Sequence, residues 1–175
     1  QVKYTNTGTD TLLVVGWTNN SYSVMSSKNI SPTFWSFQGA SYDDRRDWVQ
    51  PINDGFNQEN YMGMNASDYG GGTPVSDIWG PELGIAVGHL ETTPKLVSIP
   101  VSYNSTDSAA NICITYKFLE PKKLLPGESF ETFETFIAMH KKDYFHTLQS
   151  FSKMMEEKGL TFEKFSTSTY ESEWC

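Results

Sequence analysis

Pro74-Val75-Ser76-Asp77-Ile78-Trp79-Gly80-Pro81-Glu82-Leu83-Gly84-Ile85-Ala86-Val87-Gly88-His89-Leu90 is a pair of apolar-rich runs around a Gly-Pro-Glu-Leu-Gly turn. The first run alternates and the second is nearly continuous, so both read as strands. Gly80-Pro81 breaks the chain between them. Extended runs joined this closely pair antiparallel, which makes the segment a β-hairpin.

The reading extends outward from that hairpin. Upstream, Thr11–Trp17 is rich in β-branched residues and predicts a buried strand, with Tyr22–Met25 a weaker one. Thr33–Gln38 is another strand, closed by Gly39-Ala40-Ser41, and Tyr42 to Gln50 reads as a polar, charge-dense loop ending at Pro51. Downstream, Leu96–Val101 and Ile112–Phe118 form a second pair with a turn at Asn104–Ser108. Pro121–Glu128 reads as a loop, and Phe130–His140 as one strand of period two. About seven to nine strands separated by turn signals predict a mainly β chain, an antiparallel β-sandwich. The texture then changes. Asp143 can cap a helix, and Tyr144, Leu148, Phe151, Met154 and Met155 share one face. Gly159 is a stop, so one C-terminal α-helix spans roughly 143–158. Its apolar stripe reads as core.

The 175 residues suffice for one domain with a real core. Net charge is −8, and Lys122-Lys123 and Lys141-Lys142 are isolated pairs. Nucleic-acid binding needs a basic footprint, which this chain lacks. No apolar stretch is long enough to span a membrane as a helix. Cys113 sits in an apolar strand and reads as a small buried hydrophobe, with Cys175 the last residue; a bridge between them stays open. No metal-ligand spacing occurs, and neither a metal nor a cofactor is expected. His89 and Glu91 fall on one strand face by period, but His89, His140 and His146 read as surface or hydrogen-bonded histidines.

The chemistry-bearing stretch is Asn60-Tyr61-Met62-Gly63-Met64-Asn65-Ala66-Ser67-Asp68-Tyr69-Gly70-Gly71-Gly72-Thr73-Pro74. Consecutive glycines add nothing to a core and cost conformational entropy, so Gly70, Gly71 and Gly72 mark a sharp backbone turn or a close approach. Trp48, Tyr61, Asp68 and Tyr69 are sugar-binding residue types, with faces for stacking and a carboxylate for hydroxyls. A carbohydrate site and an ordered loop capping a sheet fit these residues equally.

Gln38–Tyr42, Asp47-Trp48, Gly55-Phe56, Glu59–Asn65 and Ser67–Pro74 together resemble the N-terminal region of α-galactosidase-like enzymes of glycoside hydrolase family 36. Asp77–Trp79, Gly84–Glu91, Pro94–Ser98, Phe133–Phe136, Asp143–Phe145, Tyr170-Glu171 and Trp174-Cys175 extend the likeness over nearly the whole chain. The resemblance implies a galactose-mutarotase-like supersandwich at 1–142, a helix and linker at 143–173, and the first strand of a (β/α)8 barrel beginning at 174–175. The bare ends, Gln1 and Trp174-Cys175, agree with a piece of a longer protein.

In that family a retaining pair of carboxylates sits on the barrel. No residue of this chain maps onto either, so no catalytic residue is assigned. The resemblance implies a non-catalytic domain that packs on the barrel, a partner in the same chain, and supports the substrate rim for an α-galactoside. Trp48, Asp68, Tyr69, Arg46 and Asp47 are the rim candidates, and Asp77, Trp79 and His89 are favoured as structural. An independent carbohydrate-binding module, or a parent acting on another α-linked sugar, are the alternatives. Self-association is allowed, and cytoplasmic, periplasmic and secreted locations all stay open.

Overall fold

The computed structural model describes residues 1–25, 32–38, 49–62, 73–93, 95 and 97–160. Among them lie eleven strands and one helix: β1 (Lys3–Thr5), β2 (Leu12–Met25), β3 (Phe34–Phe37), β4 (Val49–Ile52), β5 (Asn57–Met62), β6 (Val75–Trp79), β7 (Gly84–His89), β8 (Val97–Asn104), β9 (Ala109–Leu124), β10 (Ser129–Glu131), β11 (Thr135–His140) and α1 (Tyr144–Glu157). A five-stranded sheet, β11-β7-β6-β3-β4, faces a four-stranded sheet, β2-β9-β8-β5, and β1 pairs with β10 beside them. Every pairing is antiparallel. The expected sandwich with a helix after the strands is the fold.

The β6–β7 hairpin is the centre of the five-stranded sheet, in register from Val75↔Gly88 to Trp79↔Gly84. Its turn is closed by the Gly80 N–H donating to the Leu83 carbonyl at 2.9 Å. Ile78, Ile85 and Val87 join Val97, Ile99, Val101, Ala110, Ile112 and Ile114 in the main core between the sheets. Val75 and Ala86 face the other way, onto Leu90, Phe136 and the side of α1. A hairpin covered on both faces has no solvent side, which explains why the second run lacks alternation.

Helix α1 lies on that outer face. Asp143 caps it, accepting from the Phe145 N–H at 3.1 Å. The Tyr144 ring stacks on Phe37 with centroids 4.5 Å apart, and Phe151 stacks on Phe136 at 5.9 Å. Gly159, at φ 87°, ends the helix, with its N–H on the Glu156 carbonyl and the Leu160 N–H on that of Met155. That crossed pair is a Schellman stop, which needs the left-handed residue glycine supplies.

Five details depart from the sequence reading. Thr11–Trp17 and Tyr22–Met25 belong to one strand, β2, and Leu12, Leu13 and Val15 are exposed rather than buried because β2 is an edge strand whose first half pairs with the far end of β9. Phe130–His140 is not one strand. It divides into β10 and β11, which belong to different sheets. Thr132 turns the chain there: its N–H donates to the Val2 carbonyl at 2.9 Å, and its hydroxyl donates to the Phe133 carbonyl at 3.0 Å and accepts from the Val2 N–H at 3.1 Å. The end of the supposed 42–50 loop is strand β4, where Pro51 is tolerated because β4 is an edge that needs fewer ladder donors. Pro121, Lys122 and Lys123 are strand as well, because β9 runs on to pair Leu12–Val14. Cys113 is half-buried, its sulfur 3.9 Å from the Thr115 hydroxyl, because Ile112 and Ile114 take the inward positions of β9.

Candidate functional site

The rim candidates Trp48, Asp68, Tyr69, Arg46 and Asp47, and the turn glycines Gly70, Gly71 and Gly72, lie outside the described residues. Cys175 does too. What the structure gives is the framework from which those segments depart. Residues 39–48 connect β3 to β4, and residues 63–72 connect β5 toward β6. The registers Phe37↔Val49, Phe37↔Asp77 and Val75↔Gly88 put Gln38, Val49 and Thr73 at one end of the five-stranded sheet. Both stretches that carry the sugar-binding residue types are therefore rooted at the same end. The last turns of α1 pack there as well, since Met154 and Met155 lie on the cluster that contains Val75.

Side-chain amides tie this end together. The buried Gln38 donates from Nε2 to the Gln58 carbonyl at 3.0 Å, and Gln58 donates from Nε2 to Gln50 Oε1 at 2.6 Å. The first bond crosses from one sheet to the other, so the root of the 39–48 connection is fixed to β5. Thr73 donates from its hydroxyl to the Val75 carbonyl at 2.8 Å, and the His89 N–H donates to the Pro74 carbonyl at 3.1 Å. Glu91, read as sharing a strand face with His89, lies beyond the end of β7.

His89 faces the core at this end, 3% exposed, edge-on to Phe133 with centroids 5.6 Å apart. Its Nδ1 accepts from the Glu91 N–H at 3.3 Å, so the ring hydrogen belongs to Nε2. Nε2 has no hydrogen-bond partner among the described residues. Burial pushes the His89 pKa down to about 4, and the positive charge of Lys95 adds to that. A depressed histidine leaves stability intact above its unfolded value of 6.5 and loses it as pH falls, because only the unfolded chain then takes up the proton. The expected result is a loss of about 3 kcal/mol between pH 6.5 and 4 in urea titrations. His89→Phe should abolish most of it, and an unchanged acid slope in that variant would rule His89 out as the source.

A second buried polar group sits under α1. His140 Nε2 lies 2.9 Å from both carboxylate oxygens of Asp77, and both side chains are closed to solvent. His140 Nδ1 lies 2.8 Å from the Lys142 carbonyl. The ring reaches β6 from β11 by crossing β7 at Gly84, where an added Cβ would fall 2.1 Å from the imidazole Cε1. Sequence reasoning placed Asp77 among structural residues but did not join it to His140, 63 positions away. The usable signal was Gly84, a glycine at a strand start. Glu134, by contrast, is half-buried with a side chain open to water and pairs with Lys158 at 2.6 Å; that hydrogen bond holds its carboxyl below the usual range. A pair this open contributes little to stability.

No group of three or more His, Cys, Asp or Glu among the described residues could hold a metal ion. No helix among them is long and apolar enough to cross a membrane.

No protein-family model matches the chain. Over 149 residues it is 27% identical to an A type blood alpha-D-galactosamine galactosaminidase of Flavonifractor plautii, covering 80% of this chain and 13% of that protein. Its fold matches the crystal structure of the GH36 alpha-galactosidase AgaB of Geobacillus stearothermophilus with a TM-score of 0.51 and 16% identity. That match covers 80% of this chain and 19% of the other. The chain thus spans less than a fifth of the length of either protein.

Proposed function

We propose, from the resemblance to α-galactosidase-like enzymes of glycoside hydrolase family 36 that the sequence match and the shared fold bear out, that this chain is a non-catalytic N-terminal domain of such a glycosidase. The observation that carries the proposal is the asymmetry of coverage: 80% of this chain matches, against 13% and 19% of the two proteins. Most of a glycosidase then remains to supply the chemistry. The described residues agree with a supporting role. Retaining hydrolysis needs two carboxylates facing a sugar, and the buried carboxylate among the described residues, Asp77, is sealed against His140.

The domain's role is to pack against the catalytic barrel of the same chain and to hold the 39–48 and 63–72 segments at the substrate rim. Trp48 stacks on a sugar or aglycone face, with Tyr69 beside it. Asp68 accepts a sugar hydroxyl or orients a barrel side chain, and Arg46 and Asp47 support it. The shared root of the two segments favours their convergence, and the Gln38–Gln58 bond makes that root rigid. Leu13, Val15 and Leu119, strongly exposed on the long β2–β9 ribbon, offer apolar surface for the rest of the protein to cover. The parent's substrate is a terminal α-galactoside. A second reading, an α-linked galactosamine, is favoured by the likeness to the F. plautii galactosaminidase.

The test is hydrolysis of aryl α-galactoside and aryl α-galactosaminide by this chain beside the full gene product. The expected result is turnover by the full product alone, with the preferred glycoside deciding between the two sugars. Trp48→Ala in the full product should raise KM by about tenfold with a smaller change in kcat, as loss of uniform binding does. Hydrolysis by the isolated chain would overturn the supporting role, and turnover of neither glycoside by the full product would overturn the parent activity.

A further inference from the structure

The Asp77–His140 pair is built so that its protonation can be deduced from geometry. Nδ1 faces the Lys142 carbonyl at 2.8 Å, and a carbonyl oxygen only accepts, so Nδ1 carries a hydrogen. Nε2 faces the Asp77 carboxyl at 2.9 Å, so a second proton lies between those atoms, since two bare acceptors would repel. Written as imidazolium with carboxylate or as imidazole with carboxylic acid, the pair holds one proton more than a neutral histidine beside an ionised aspartate. Both side chains are closed to solvent, so no water can take that proton's place. The electrostatics agree. Burial by itself lowers the His140 pKa, but the Asp77 hydrogen bond and charge, the Lys142 carbonyl and the Asp143 charge outweigh it, and the net displacement is upward from 6.5.

We propose that this pair is a proton-operated clasp: with the shared proton it fixes the β11–α1 corner onto the sheet, and without it α1 detaches while the sandwich beneath stays folded. The corner is short. His140 ends β11, Lys142 supplies the carbonyl, Asp143 caps α1, and Tyr144 stacks on Phe37. A ring expelled from Asp77 therefore pulls directly on the helix start. Release is confined to the helix because Thr147 is its one fully buried residue, whereas β7 is buried throughout. Elements with few buried contacts open first.

The sign follows from the raised pKa. The clasp is fully closed below 6.5, the unfolded value, and opens as pH rises through the folded value. The groups facing His140 are Asp77 from β6, Lys142 and Asp143 from the corner, and His146 from α1, with ring centroids 6.1 Å apart. Gly84 brings no side chain from β7. His146 is exposed and is the other histidine beside the clasp, so it serves as the control.

Amide hydrogen exchange of this chain from pH 5.5 to 9.5, corrected for intrinsic rates and followed beside the His140 Hε1 resonance, tests the clasp. Between pH 6.5 and the His140 midpoint, α1 protection is expected to fall about tenfold per pH unit and then level off, while β8 and β9 stay unchanged. Asp77→Asn should flatten that fall, because an asparagine amide can donate to a neutral Nε2. His146→Gln should leave it in place. A flat α1 profile in the parent would overturn the proposal, as would an unchanged slope in Asp77→Asn or a slope lost in His146→Gln. Equal loss of protection in α1 and β8 would overturn it too, by making the pair an element of global stability. Should Asp77→Asn not fold, His140→Gln keeps one donor to Asp77 and serves the same comparison.

Discussion

Gly84→Ala is expected to destabilise the chain by about 3 kcal/mol or more. The added methyl would lie 2.1 Å from His140 Cε1 and 2.4 Å from Nε2. Such an overlap is relieved only when something moves, and the ring cannot move freely. Asp77 holds Nε2, the Lys142 carbonyl holds Nδ1, and β7 is hydrogen-bonded on both sides by β6 and β11. The substitution therefore adds overpacking to the rupture of a buried, hydrogen-bonded pair. For a chain of this size the corresponding fall in Tm is about 6–12 °C. Gly8→Ala is the control, since its new methyl meets only the Asn6 side chain, at an ordinary 3.4 Å. Equal stability of Gly84→Ala and the parent in urea would mean that the ring does not lie across β7.

The second large effect is expected at Phe37. This residue is 1% exposed, and its ring stacks on Tyr144 with centroids 4.5 Å apart and planes 10° from parallel. Phe37→Ala should cost about 3–5 kcal/mol, the range for truncating a buried aromatic. Its location makes the loss diagnostic, because the cavity opens between β3 and the first turn of α1. Far-UV circular dichroism should show helix lost before strand on heating. Phe37→Leu, which refills most of the volume, should recover more than half of the stability. Simultaneous loss of helix and strand in both variants would show that α1 and the sheet unfold as one unit.

The architecture was legible wherever local pattern and tertiary environment agree. The β6–β7 hairpin carries its turn in Gly80-Pro81 and its burial in an unbroken apolar run. The helix carries its cap, its stripe and its stop in Asp143, Tyr144 to Met155, and Gly159. Phe130–His140 misled because alternation continues through Thr132, and only long-range bonds to Val2 reveal that the chain changes sheets there. Pro51 misled because a proline penalty applies to interior strands, and edge position is a property of the whole sheet. The rim candidates lie outside the described residues, and the sequence carried no sign that the two segments holding them share a root, which follows from strand order. Asp77 and His140 were invisible as a pair because nothing local couples residues two strands apart.

Strand β1 has a consequence for how the chain is made. Its pairing with β10, extended by the Val2 and Thr132 hydrogen bonds, closes a loop of 130 positions. A ribosome extrudes β1 long before β10, its partner among the described residues, which emerges after most of the sandwich. Strand β1 must therefore wait for β10, and its docking belongs among the later steps of maturation of this domain. Topologies with such distant contacts fold slowly, and an unpaired, β-prone segment held open meanwhile is what chaperones bind.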